Sequence, residues 1–154
     1  MELTLQLRDL MKVVRLLKQQ REGLRPGMPA GMVGILMTID QLTGRDECCH
    51  AKELARHSGL DQSTVSRAVA ALAGLGLVER VPDPTDRRAS ILAVTAAGRT
   101  VLTEAQDWLE GVLARALAGW RRDEIDALTA SLGRFVADLD EALRTGNAQM
   151  ETAR

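Results

Sequence analysis

The feature that most constrains this chain is a break in a helical pattern at Ser58-Gly59-Leu60-Asp61. Glycine tolerates the left-handed conformation that closes many helices. Asp61 suits an N-cap, because its carboxylate accepts the unpaired amides of a first helical turn. Leu60 then precedes the cap and Val65 stands at the fourth helical position, the spacing of a hydrophobic staple. Before the break, Leu54 and Ala55 are expected to face inward. After it, Val65, Ala68, Val69 and Leu72 recur at i, i+3, i+4 and i+7, a single apolar stripe. The opposite face carries Ser63, Thr64, Arg67, Ala70 and Ala71. Two short helices joined by a tight turn follow, the second with its long polar groups near its N-terminus and small residues beyond.

What comes next narrows the chemistry. Gly74 and Gly76 end the helical pattern, and Leu77 to Val81 reads as a strand. Pro82, Asp83, Pro84 and Asp86 make a turn, and Ala89 to Val94 reads as the returning strand. Arg87 and Arg88 stand side by side at the tip of this ribbon. An arginine there suits the narrow minor groove of DNA or a phosphate clamp. Asp86 is placed to orient one of them through a charge-assisted fork. On the second helix, Gln62, Ser63, Thr64 and Arg67 carry donors suited to base edges and phosphates, with the Arg67 fork matched to guanine. The bland alternative for each feature alone is an ordinary solvated helix face or hairpin tip. Their succession within one short segment favours a reader of double-stranded DNA.

The run DQSTVSRAVAALAGLGLVERVPDPTDRRASILAVTAAGR, residues 61–99, resembles the DNA-binding core of the MarR family of bacterial transcription regulators. The D-x-R of that family's wing matches Asp86 and Arg88, and its Thr-x-x-Gly helix start matches Thr95 and Gly98. Val94 stands where the family usually has leucine. The resemblance implies that Arg88 enters the minor groove, that Asp86 holds the wing in shape, and that the helix from Asp61 reads the major groove. It implies a homodimer whose terminal helices interlock, setting two recognition helices about one DNA turn apart on a pseudo-palindromic operator. It also implies a repressor released by a small, often aromatic or amphipathic, acid bound between dimerisation helices and reader. Met28, Met32, Arg15 and Trp108 are candidate linings of such a site, with plain core as the alternative for the methionines.

The remaining chain fits a mostly α fold with a small two-stranded β wing: a winged helix-turn-helix with N- and C-terminal dimerisation helices. Residues 1–154 are expected to form one domain, with N-terminal helices in 1–44, the winged segment in 45–99, C-terminal dimerisation helices in 100–146 and a tail at 147–154. The first helix, Leu3 to Glu22, repeats Leu3, Leu7, Leu10, Val14 and Leu17 in a heptad-like seam. Gly23 to Pro29 breaks the pattern. Ala30 to Leu42 is apolar on nearly all sides and should be buried. A long helix capped by Thr95 should run to Gly119, with Leu102, Leu109, Val112, Leu113, Ala116, Leu117 and Trp120 inward. A last helix, Asp123 to Arg144, carries Ile125, Leu128, Leu132, Phe135, Val136, Leu139 and Leu143, with a frayed tail from Gly146.

Composition sets limits on function. The net charge of −1 divides into +2 over residues 1–44, +1 over 45–99 and −4 over 100–154. The reading segment is only mildly basic, which predicts few phosphate contacts per subunit. No Ser-His-Asp order, phosphate loop, HExxH or apolar carboxylate pair is present, so the chain is expected not to be an enzyme and to need no cofactor. Cys48, Cys49 and His50 are consecutive and lack a spaced partner motif, so no metal site is expected. A redox sensor built on Cys48 or Cys49 is one alternative function, and a winged-helix module that binds protein is another. The amphipathic N-terminus has no signal-peptide pattern and no apolar run reaches spanning length, so a cytoplasmic protein without a membrane partner is expected.

Overall fold

A computed structural model of the chain describes residues 2–23, 28, 31–44, 49–83 and 89–152. Six helices and two strands run in the order α1 (Glu2–Gly23), α2 (Met32–Thr43), α3 (Ala51–Ser58), α4 (Gln62–Gly74), β1 (Val78–Pro82), β2 (Ser90–Val94), α5 (Ala96–Ala116) and α6 (Arg122–Thr152) among the described residues. The described residues group into two compact units, residues 1–109 and 110–154.

In the first unit the helix-turn-helix forms as its residues dictate. Gly59 closes α3 with φ 65°, a conformation that costs glycine little. Asp61 caps α4 by accepting the Thr64 amide at 2.8 Å. Val65, Ala68, Val69 and Leu72 are buried, as their spacing requires, and Leu54 meets them from α3 with no exposed surface. Ala55 is half-buried. Leu60 is exposed, so the expected staple does not bury its first residue. Ile35, Leu36, Ile39 and Leu42 of α2 complete the core together with Leu77, Val78, Leu92, Val94 and Val101. Burying one such side chain stabilises by about 1.5–3 kcal/mol, so this aliphatic cluster carries the unit without aromatic help. Met37 of α2 remains exposed, which corrects the expectation of burial on nearly all sides, although α2 does lie centrally, packed against α3, α4 and β2.

The wing is an antiparallel pair with Val78 opposite Val94, Arg80 opposite Leu92 and Pro82 opposite Ser90. A backbone bond from the Leu92 amide to the Cys49 carbonyl, 2.8 Å, adds the residue before His50 to the free edge of β2. Thr95 joins the wing to α5: its hydroxyl donates to the Gly76 carbonyl at 2.7 Å and accepts the Gly98 amide at 3.1 Å. The cap expected at Thr95 is therefore present. Gly98 is required here, because a Cβ would collide with the Leu77 carbonyl.

Two expectations for the C-terminal helices need correction. In α5 the buried residues are Gly98 and Val101, whereas Leu109, Leu113 and Trp120 of the proposed inward stripe are exposed. The second unit is dominated by α6, which continues to Thr152 instead of fraying from Gly146. Ala148, Gln149, Met150 and Glu151 are good helix formers, and one internal glycine costs only about 1 kcal/mol. Its start is reinforced by the Glu124 carboxylate, which accepts the Arg121 amide at 2.8 Å in capping-box fashion. Leu128, Leu132, Val136, Leu139 and Leu143 lie exposed along α6.

Candidate nucleic-acid interface

The N-terminal turn of α4 is organised by Asp61. Its Oδ1 accepts the Ser63 hydroxyl at 2.6 Å and the Thr64 amide at 2.8 Å, and its Oδ2 accepts the Thr64 hydroxyl at 2.7 Å. The Ser63 hydroxyl bond, followed by those from Thr64, holds the Asp61 carboxyl well below the usual carboxylate range. Ser63 and Thr64 thus give their hydroxyl protons to the cap. A phosphate oxygen only accepts, so these hydroxyls cannot donate to DNA while they hold Asp61. Arg67 lies over the same turn, with Nε 3.4 Å from the Ser63 carbonyl and Nη2 3.4 Å from Thr64 Oγ1. Both contacts are long and Arg67 is exposed, which leaves the guanidinium fork available. Gln62 and Ala70 are exposed on α4 as well, while Ala71 is half-buried.

The wing stem is fixed to the start of α3. His50 occupies the N-cap of α3 without a side-chain cap bond. Its Nδ1 is 3.2 Å from the Ser90 carbonyl and its Nε2 is 3.1 Å from Asp83 Oδ2. Asp83 is a buried charged residue, 4% exposed. The sequence reading considered His50 only as part of the Cys48-Cys49-His50 run and Asp83 only as a turn former, so this pair was missed. The tip residues Asp86, Arg87 and Arg88 lie outside the described residues, as does Cys48.

Cys49 is buried, and desolvation, followed by the charge of Glu53, pushes its thiol up to about 11. A thiol that resists ionisation is a poor oxidant sensor, which counts against redox sensing at this residue.

The first unit also holds a cavity of about 250 Å³ lined by Arg21 of α1, Met37, Asp40 and Gln41 of α2, and Leu102 and Gln106 of α5, among others. Arg21 Nε is buried without a hydrogen-bond partner among the described residues. Met28, Met32, Arg15 and Trp108 do not line it. Met28 and Met32 instead pack on the core, and Arg15 is exposed. No helix among the described residues is long and apolar enough to cross a membrane.

Comparison with known proteins agrees with this architecture. A family model described as MarR family matches residues 27–89. An HTH-type transcriptional regulator of Mycobacterium bovis is 32% identical over 79 residues, covering 51% of this chain and 55% of that one. The chain thus spans about half the length of the curated relatives it matches. Among solved structures, a MarR family protein from Bacillus stearothermophilus superposes with a TM-score of 0.71 at 20% identity, over 90% of this chain and 96% of that one. S. aureus MepR bound to ethidium bromide superposes with a TM-score of 0.62 at 14% identity, over 84% of this chain and 93% of that one. These two likenesses are likenesses of fold.

Proposed function

We propose that the chain is a winged helix-turn-helix transcription regulator of the MarR family, whose model matches residues 27–89, and that it is a homodimeric, sequence-specific binder of double-stranded DNA that represses its target in the cytoplasm. The observation that carries this reading is the exposed N-terminal face of α4. Asp61 caps it, Gln62 and Arg67 project from it, small residues follow, and it leads directly into the β1–β2 ribbon. Arg67 pairs with guanine in the major groove, Gln62 contacts a neighbouring base or phosphate, and Ser63 and Thr64 hold the helix start or exchange their bonds to Asp61 for bonds to DNA. Arg87 and Arg88 approach the minor groove and the adjacent phosphates, with Asp86 orienting them.

Dimerisation is supported by the apolar surface left on each unit. Leu3, Leu10 and Val14 are exposed along α1, and Leu128, Leu132, Val136, Leu139 and Leu143 along α6. Apolar seams of this length are normally covered by a partner, and a second copy supplies the same seams under two-fold symmetry. On this reading residues 1–44 and 100–146 form the dimerisation part and 45–99 the reader. Enrichment of bound fragments from a random pool of double-stranded DNA tests the whole proposal. The expected product is a pseudo-palindrome with half-sites about one helical turn apart. Recovery of unenriched DNA would refute it.

Effector release is the finer part of the proposal. The cavity between α1, α2 and α5 sets Met37, Leu102 and Leu109 beside the polar side chains of Arg21, Asp40, Gln41 and Gln106, a lining suited to a small amphipathic molecule whose acceptor, such as a carboxylate, pairs with the Arg21 guanidinium. A chain of the same fold, MepR, is known with ethidium bound. Benzoate, a minimal aromatic carboxylate, should release DNA from the wild type and lose that effect in Arg21→Ala. An effector acts only by binding the DNA-incompetent arrangement more tightly.

A further inference from the structure

We propose that His50 is a positioning residue for DNA binding: its ring ties both stems of the wing to the start of α3 and so sets where residues 84–88 meet the duplex. This rests on the DNA-binding reading above. The ring serves no cap on its own helix, although it stands at the N-cap with φ −81° and ψ 157°. It reaches instead across the fold to both sides of the ribbon. Nδ1 lies 3.2 Å from the carbonyl of Ser90, the first residue of β2. Nε2 lies 3.1 Å from the carboxylate of Asp83, the residue after β1. The Asp83 amide donates to the Ala89 carbonyl at 3.1 Å, the last rung before the tip. The ring therefore touches the stem on each strand within a residue of that rung. The Leu92 amide, bonded to the Cys49 carbonyl at 2.8 Å, holds the same edge from the backbone.

Both groups that meet the ring are acceptors, the Ser90 carbonyl and the Asp83 carboxylate. The carboxylate is buried, so removing the ring takes a polar contact from a group that water cannot readily reach. Among the described residues of the wing, Asp83 is the charged group that meets the ring; from its own helix, Glu53 lies one turn on, close enough to Cys49 to raise its thiol. Neither ring contact is needed to form the helix-turn-helix, whose cap at Asp61 and apolar stripe are complete without it. The contacts instead define the angle at which the stem leaves the reader. Asp86, Arg87 and Arg88 follow within five residues of Asp83, so an error in that angle is carried directly to them.

The test is a double-mutant cycle on the full chain, read as affinity for the DNA enriched above. His50→Ala is measured in the wild-type background and in the Arg87→Ala/Arg88→Ala background, with circular dichroism on all four proteins. The expected result is about a tenfold loss in the first background and less than about twofold in the second, the coupling of groups that act together. His50→Gln, whose donors sit on a single nitrogen that cannot span both acceptors, should fall between wild type and His50→Ala and serves if the alanine variant does not fold. Equal losses in the two backgrounds, or no loss in the wild-type background, would overturn the positioning role and leave the DNA-binding reading intact. Wild-type affinity in Arg87→Ala/Arg88→Ala would overturn the wing assignment and the positioning role together.

Discussion

At the scale of single residues, three positions carry separate physical demands. Gly98 sits where a Cβ would strike the Leu77 carbonyl and lie 2.7 Å from Val94 Cγ1. Backbone cannot step aside as a side-chain end can, so Gly98→Ala should lose about 1–3 kcal/mol in urea unfolding. The Thr-x-x-Gly pattern seen in the sequence thus has a steric cause at its glycine and a capping cause at Thr95. Asp61 is the acid-sensitive element. Its folded pKa is depressed by the Ser63 and Thr64 bonds, so its stabilisation is complete above the unfolded carboxylate value, about 4, and is withdrawn as pH falls below that value. The stability gap between wild type and Asp61→Ala should be constant from about pH 5 to 8 and narrow below about pH 4 in a thermal-denaturation series. Cys49 gives a third check. Its thiol is buried and pushed up to about 11, so in a Cys48→Ser variant it should react with a thiol reagent at neutral pH only after unfolding. Rapid reaction of the folded protein would restore the redox alternative.

At the scale of elements, α4 separates stability from recognition by face. Leu72→Ala empties a fully buried position and should cost about 2–5 kcal/mol. Arg67→Ala removes an exposed side chain, so stability should move by no more than about 0.5 kcal/mol while DNA binding weakens by about 1–3 kcal/mol. The helix-turn-helix was legible because its information is local: Gly59, Asp61 and a four-residue stripe each act within one or two turns. The ribbon was legible for the same reason, its turn residues standing between two apolar runs. Contacts between distant segments were not. His50 and Asp83 are 33 positions apart, and nothing in their neighbours marks them as partners. The cavity was missed likewise, since Arg21, Met37 and Leu102 come from three helices whose packing no periodicity specifies. The proposed inward stripe of α5 followed the helical period, yet Leu109 and Leu113 are exposed, because apolar spacing says that a face suits burial, not that its own chain buries it.

At the scale of the whole molecule, the reader and the seams assign different work to different parts of the chain. Acidic excess is confined to residues 100–154, and the winged segment is close to neutral. On the proposed dimeric reading, affinity comes from a few well-placed contacts made twice, once per subunit, rather than from a broad positive surface. Leu132→Asp, on the exposed seam of α6, should shift the protein from dimer to monomer in sedimentation and weaken operator binding by removing the second half-site contact. An unchanged sedimentation coefficient would place the dimer interface elsewhere. The central claim, that α4 and the wing together read double-stranded DNA, is tested most directly by titrating one operator fragment and one scrambled fragment with wild type and Arg88→Ala across a salt series. The account predicts tight binding to the operator alone, a loss of about 1–3 kcal/mol in the variant, and a shallower salt dependence as phosphate contacts are lost. Equal affinity for operator and scrambled DNA, or identical curves for the two proteins, would contradict it.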